Sequence, residues 1–279
     1  DIYAIGDCIE ATNRITGQKV HAPYGDLANL QGRVAGENAI VGNVKEYPGT
    51  IQTGICKVFE FSAGSTGLSE RNARRAGIED FETVINASPD KPGFMKGLLL
   101  VSKLVVDRKT RRILGAQCVG PGDVSKQIAI WSMAIMGGMT VEDVTNADLP
   151  YAPPFSLAID HSIATAHLMQ NKLDGLMTGI SAEELKKLVD TGNSPLIIDV
   201  RGSDEFEAMR LGIGEKLIPL GALRGRLSEL PKDKNAAIAC YCKISLRGYE
   251  AARVLAGHGY TDVRVMEGGI MAWPYPREK

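Results

Sequence analysis

The stretch AAIACYCKISLRGYEAARVLAG, residues 236–257, runs from an apolar segment through a short loop into a helix-forming segment. AAIACY reads as a strand buried on both faces, and GYEAARVLAG as the helix that follows Arg247. Cys242 is then the first residue past the carboxyl end of that strand. The flanking sequence repeats the alternation. Helix ISAEELKKLVD (180–190) leads to strand PLIIDV (195–200), and GSDEFEAMR (202–210) reads as a helix. KLIPL and helix GRLSELP come next, and VRVM (263–266) and GGIMAW close the pattern. Strand alternating with helix predicts an α/β domain with a parallel sheet over 180–279.

That placement gives Cys242 a chemical reading. Ligands of open α/β sheets bind outside the carboxyl ends of the strands. A tight loop feeding a helix turns successive backbone N–H groups toward its centre, and the helix dipole adds positive potential there. Lys243, Ile244, Ser245, Leu246 and Gly248 form this loop with Arg247, whose guanidinium, like the Lys243 ammonium, adds charge. Such a loop suits a reactive thiolate or a small oxyanion. The alternative is a buried structural cysteine at a strand end. Cys240, inside the strand, reads as a small core hydrophobe. His21, His161, His167 and His258 do not cluster in sequence, so no metal site is expected.

The upstream half has a different grammar. TGICKVFEFS (53–62), FETVINAS (81–88), LLLVSKLVVD (98–107) and RRILGAQCVG (111–120) read as strands. LSERNARRAG (68–77) reads as a helix capped by Ser69, and a long helix over 124–137 follows the GPGD break. Strands followed by helices predict an α+β domain with an antiparallel sheet over 46–172. The polar, glycine-bearing QNKLDGLMTG (170–179) separates the two patterns, with a linker expected at 173–179. Residues 1–45 form a further unit. Apolar Ile2-Tyr3-Ala4-Ile5 reads as a strand ending at Gly6-Asp7, and DLANLQGRVAGENAIVG (26–42) as a helix.

Bulk properties narrow the function. The chain has 279 residues, a net charge of −1, 44% hydrophobic and 23% charged residues. These values give no reason to expect a nucleic-acid or anionic-membrane partner. The longest apolar run, IAIWSMAIMGGM (128–139), is too short to span a bilayer and reads as a buried helix. Five cysteines without framework spacing point to a reduced, cytoplasmic setting.

Residues 180–273 resemble a rhodanese domain, on IIDVRGSDEFE (197–207), the CKISLR loop, YEAARVL and VRVMEGGIMAW (263–273). The resemblance implies that Cys242 carries sulfur as a persulfide, with Asp199 and Arg201, the family's Asp-x-Arg, bracing the loop. Glu205 reads as a helix-surface charge. From Cys242 to Arg247 inclusive there are six residues. The related cell-cycle phosphatases have a loop one residue longer, so the count favours sulfur over phosphate. This loop lacks the glycine many relatives carry between Cys and Arg. MRLGIGEKLIPLG also stands where the family's Gly-His-Ile-x-Gly-Ala is usual.

DIYAIGDCIE (1–10) resembles the second flavin motif of the pyridine nucleotide–disulfide oxidoreductases, and 46–172 their dimerisation domain. The resemblance implies that Gly6 and Asp7 approach the ribityl chain of FAD, with Ala28 on the next helix, whose N-terminal end faces the flavin. DLPYAPPFS (148–156) is similar to the coenzyme A-disulfide reductase and NADH oxidase branch. That branch implies that Tyr151 reaches the partner subunit's active site and hydrogen-bonds the sulfur substrate. Phe155 reads as a packing residue, and ASPDKPG (87–93) lacks the second Tyr some members carry there.

The order implies the C-terminal part of a longer, homodimeric flavoenzyme using FAD, NAD(P)H and coenzyme A. No GxGxxG unit appears, and Cys8, Cys56 and Cys118 do not match the family's upstream redox cysteine. Two other readings stand beside it: a free-standing sulfurtransferase, and a non-catalytic sulfur-relay or dimerisation module.

Overall fold

The computed structural model describes residues 2–279. Two five-stranded sheets, one antiparallel and one parallel, each carry their own helices.

The chain enters through a small hairpin, β1 (Glu10–Thr12) with β2 (Lys19–His21), and helix α1 (Gly25–Val41). The antiparallel sheet follows: β3 (Gly54–Val58), β4 (Phe61–Gly67), β5 (Phe81–Pro89), β6 (Leu99–Asp107) and β7 (Ile113–Gly120), in the order β3-β4-β7-β6-β5. α2 (Glu70–Arg75) lies between β4 and β5, and Ser69 caps it by accepting from the Asn72 amide. α3 (Val124–Met136), α4 (Val141–Thr145) and α5 (His161–Leu173) complete this half. The period-2 pattern of β6 sends Leu100, Ser102 and Leu104 inward. There Leu104 joins Val84, Val106, Trp131, Ile135 and Met169 in one core. The other face of the sheet borders a groove of about 650 Å³ lined by Cys56, Ala63, Val101, Gln117 and Val119, among others.

The second half contains β8 (Thr178–Ile180), α6 (Ala182–Asp190), β9 (Leu196–Asp199), α7 (Ser203–Ala208), β10 (Lys216–Leu217) and α8 (Leu220–Leu223). β11 (Ile238–Tyr241), α9 (Leu246–Gly257) and β12 (Val263–Met266) follow, with a closing 3-10 turn at Gly269–Ala272. The sheet order β10-β9-β11-β12-β8 is parallel throughout. Ser181 and Glu184 form a capping box at the start of α6. The two halves share a core, since Met177, Ala252 and Val265 pack into the cluster that holds Trp131 and Met169.

Two strand expectations change. Ile2–Ile5 pairs with no strand among the described residues, and Gly6–Cys8 is a 3-10 turn. An extended segment becomes a strand only where a neighbour takes its N–H and C=O groups. TGICKVFEFS is not one strand but the β3–β4 hairpin, turning at Phe59 with φ of 51°. Within the stretch read as a linker, α5 continues to Leu173 and β8 begins at Thr178, pairing with β12. Among the described residues no helix is long and apolar enough to cross a membrane.

Candidate functional site

The parallel register sets Tyr241 beside Asp199, so both end at the same edge of the sheet and Cys242 follows immediately. Cys242 is fully buried, as is Cys240, whose thiol burial pushes up to about 12. That fits Cys240 as a core residue.

The loop after Cys242 is held by its carbonyls. The Ile270 amide donates to the Cys242 carbonyl (2.9 Å), and the Met271 amide to that of Lys243 (3.1 Å). The N–H groups of Lys243 and Ile244 share those trans peptide planes, so they point the opposite way, into the loop. Among the described residues the amides from Lys243 to Arg247 donate to no protein acceptor. They lie at the N-terminus of α9, where the helix dipole adds positive potential. Two residues take left-handed backbone conformations in this arrangement. Gly269 has φ of +57°, and a Cβ there would lie 2.5 Å from the Cys242 carbonyl oxygen. Ser245 has φ of 92° where a glycine would be unstrained, and its hydroxyl donates to the Met266 carbonyl (3.4 Å). Ser245 thus adopts the conformation of the glycine that the sequence comparison found missing.

Arg247 sits in the first turn of α9. Its two terminal nitrogens donate to Glu205 at 2.6 and 2.8 Å. Glu205, and next the neighbouring Cys242 sulfur, hold the guanidinium strongly protonated. In return, chiefly the Arg247 hydrogen bond lowers the Glu205 carboxyl to about 2. Glu205 is therefore not a free surface charge. It also accepts from the Gly202 amide at 3.2 Å, so it ties the start of α7 to the loop. The sequence signal was position: Glu205 lies in the first turn of the helix after β9, at the sheet edge that carries Cys242.

Asp199 and Arg201 form a buried two-pronged pair, Arg201 Nη2 to Asp199 Oδ2 at 2.6 Å. Arg201 also donates to the Met209 carbonyl (2.7 Å) and lies 5.7 Å from the centre of the Tyr241 ring. The pair meets the loop through Tyr241, the residue before Cys242, rather than through the loop backbone.

Gly6, Asp7 and Ala28 come together at the other end of the chain. Gly6 has φ of +77°, and a Cβ there would lie 3.6 Å from that of Ala28. Its amide donates to Gln31 Oε1 on α1 (2.7 Å). The Asp7 carbonyl meets His21 Nε2 (2.9 Å), whereas its exposed carboxylate has no protein partner among the described residues. A close-approach glycine beside an unengaged carboxylate and the first turn of a long helix fits the ribityl and ring edge of a flavin.

Tyr151 is not brought to Cys242. It lies on the connection between α4 and α5, 55% exposed, while Phe155 is 74% exposed. Phe155 is therefore not a packing residue here. Lys126 fastens this connection by donating to the Phe155 carbonyl and pairing with Asp160, the cap of α5. The connection thus turns both aromatic rings outward.

Comparison with known proteins defines the class. Residues 53–163 match the pyridine nucleotide-disulphide oxidoreductase dimerisation domain, and residues 181–274 the rhodanese-like domain. The chain joins a dimerisation domain of that oxidoreductase family to a rhodanese-like domain. Its relatives are more particular. It is 35% identical over 170 residues to the NAD(P)H coenzyme A polysulfide/persulfide reductase of Pyrococcus horikoshii, covering 61% of this chain and 38% of that protein. Among solved structures, the NAD-dependent persulfide reductase from A. fulgidus is 43% identical with a TM-score of 0.88, over 98% of this chain and 48% of that one. The reduced Bacillus anthracis CoADR-RHD is 32% identical with a TM-score of 0.88, over 97% and 48%. The chain spans less than half the length of each of these three relatives.

Proposed function

We propose that this chain is the sulfur-carrying and dimer-forming part of an FAD-dependent NAD(P)H reductase acting on coenzyme A disulfides, persulfides or polysulfides. One observation carries the reading. Cys242 is fully buried at the start of α9, beside loop amides that have no protein acceptor among the described residues and close to the paired Arg247 guanidinium, an arrangement suited to a small sulfur anion. The Cys242 thiolate attacks the terminal sulfane sulfur of a donor. The donor S–S bond breaks and a Cys242 S–S bond forms. The shortened donor leaves with the electron pair, so no outside oxidant is needed. The loop amides and Arg247 then hold the terminal persulfide anion, while Asp199 and Arg201 keep Tyr241 in place beneath it.

At the other site Gly6, Asp7 and Ala28 would hold FAD, which when bound supplies electron transfer from NAD(P)H to a disulfide. Tyr151, exposed and free to donate a proton, would serve the partner subunit's site in a homodimer. The uncovered apolar residues Ile55, Val58, Phe59, Phe61 and Val119 support that dimer. Five free cysteines suit a reduced cytoplasm. A second reading, a sulfurtransferase working without flavin, draws support from the Cys242 loop having its carbonyl and guanidinium partners within this chain.

The test is sulfur uptake from inorganic polysulfide, read by intact mass, together with the visible spectrum of the purified protein. Wild type gains one cyanide-labile sulfur and Cys242→Ser gains none. Equal uptake by both would sink the Cys242 assignment. A flavin spectrum supports the reductase, and a colourless, sulfur-loading protein supports the sulfurtransferase.

A further inference from the structure

The turn that grips the Cys242 loop is itself anchored outside its own domain. Glu267 follows β12 directly and is 4% exposed. One carboxylate oxygen accepts from Lys172 Nζ on α5 (2.6 Å), and the other from the Ile85 amide on β5 (2.8 Å). Lys172 also meets Glu82 (3.0 Å) and the Thr83 carbonyl (2.5 Å), both in the antiparallel half. Any side chain at residue 179 would collide with the Glu267 carboxylate, so Gly179 makes the room for it. Burial pushes the Glu267 carboxyl up, while Lys172 and the Ile85 amide pull against it.

Glu267 is then two residues from Gly269 and three from Ile270, whose amide holds the Cys242 carbonyl. Between them, Gly268 has φ of +72° and its missing Cβ would lie 3.1 Å from the Ile85 side chain. Ser245 adds a second tie, to the carbonyl of Met266, the residue before Glu267. A continuous path therefore runs from Lys172 and Ile85, through Glu267, to the carbonyls that orient the loop amides. A buried ion pair costs hydration of both ions, and its best-attested use is to set register.

We propose that Glu267 is a positioning residue for the Cys242 loop, through which the dimerisation domain holds the 268–271 turn at the height that aims the loop amides at sulfur. The proposal rests on the reading of Cys242 as the sulfur carrier. Its reach is specific. Loss of the Glu267 anchor loosens the Ile270 and Met271 amides and slows sulfur uptake, without altering how the donor is bound.

The experiment uses the whole chain with inorganic polysulfide as donor, and four variants. Glu267→Gln and Lys172→Met remove the ion pair. Glu82→Gln removes the other carboxylate at Lys172, which touches nothing in the turn. Hydrogen exchange at Ile270 and Met271 is expected to rise about tenfold in the first two. Their saturating rate of sulfur uptake falls about tenfold with an unchanged half-saturating donor concentration. Glu82→Gln leaves both unchanged, and Lys172→Arg, which keeps the pair, restores both. If Glu267→Gln does not fold, Lys172→Met carries the same test. Faster exchange at Ile85, with Ile270, Met271 and uptake unaffected, would overturn the proposal by making Glu267 mere interdomain adhesion. A wild-type chain that takes up no sulfur would overturn the Cys242 reading instead, and exchange at Ile270 and Met271 would still decide whether Glu267 anchors the turn.

Discussion

The two candidate sites of this chain are built to different degrees of closure. Around Cys242 the carbonyls, the guanidinium and the sulfur are all engaged by the chain itself, and only the loop amides are left for a ligand. The loop carbonyls are bonded, the guanidinium is paired and the sulfur is covered. At the Gly6–Asp7–Ala28 corner the backbone is set by Gln31, yet the Asp7 carboxylate is unengaged. In the same N-terminal segment Ile2 is 99% exposed, and Ile40 on α1 is 85% exposed. The first site needs only its own domain and one neighbour. The second presents groups whose partners would have to come from a ligand or other protein surface. A site of the first kind should be sensitive to packing changes, and one of the second kind should not.

The substitution that presses hardest on this contrast is Gly269→Ala. The added methyl would meet the Cys242 carbonyl oxygen at 2.5 Å and the Lys243 carbonyl at 2.6 Å, at a positive φ. A loss of about 1–3 kcal/mol is expected from overpacking and strain, together with loss of sulfur uptake. Urea unfolding and polysulfide loading measure the two effects. A variant with wild-type stability and uptake would show that the loop is not held by its carbonyls.

Acid titration gives the next effect. The Glu205 carboxyl is lowered to about 2 by Arg247, below its value in the unfolded chain. The unfolded state therefore binds more protons between about pH 4.5 and pH 2, and this pair's contribution fades as pH falls through that window. Glu205→Gln should flatten that part of the stability–pH curve. Because both side chains are about one-third exposed, the change is modest and weakens in high salt. An unchanged acid slope would mean that the pair adds nothing to folding.

Smaller still is Ser245→Gly, which relieves a φ of 92° but gives up the bond to the Met266 carbonyl. The two nearly offset, and a gain of up to about 1 kcal/mol with sulfur uptake retained is expected. A loss of stability would show that the hydroxyl outweighs the backbone strain. At the open corner, Asp7→Ala should leave thermal stability and sulfur uptake unchanged, since its carboxylate has no protein partner among the described residues. A clear drop in melting temperature would show that this corner is more closed than the geometry indicates.

Much of this was legible in the residue order because the relevant signals are local. The alternation of strand and helix over 180–279, the antiparallel grammar upstream and the Ser69 cap depend on neighbours a few residues apart. So does the emergence of Cys242 at a strand end. Less legible were features set by distant residues. Position sets Glu205 at the sheet edge of Cys242, but nothing local pairs it with Arg247, 42 residues later. Nothing local marks Glu267 as the partner of Lys172, 95 residues earlier. Ile2–Ile5 has strand composition but no pairing strand among the described residues, and composition alone forms no ladder.

By itself, then, the sequence determined most of the element order, the two sheet types and the position of Cys242 at a strand end. These follow from side-chain periodicity and backbone preference, which act over a few residues. Tertiary structure alone decided which charges pair, which turn holds the Cys242 loop, and that Ser245 takes a glycine's conformation. Those outcomes depend on which groups lose water together and on which carbonyls find donors, and only the packed chain brings such groups within reach.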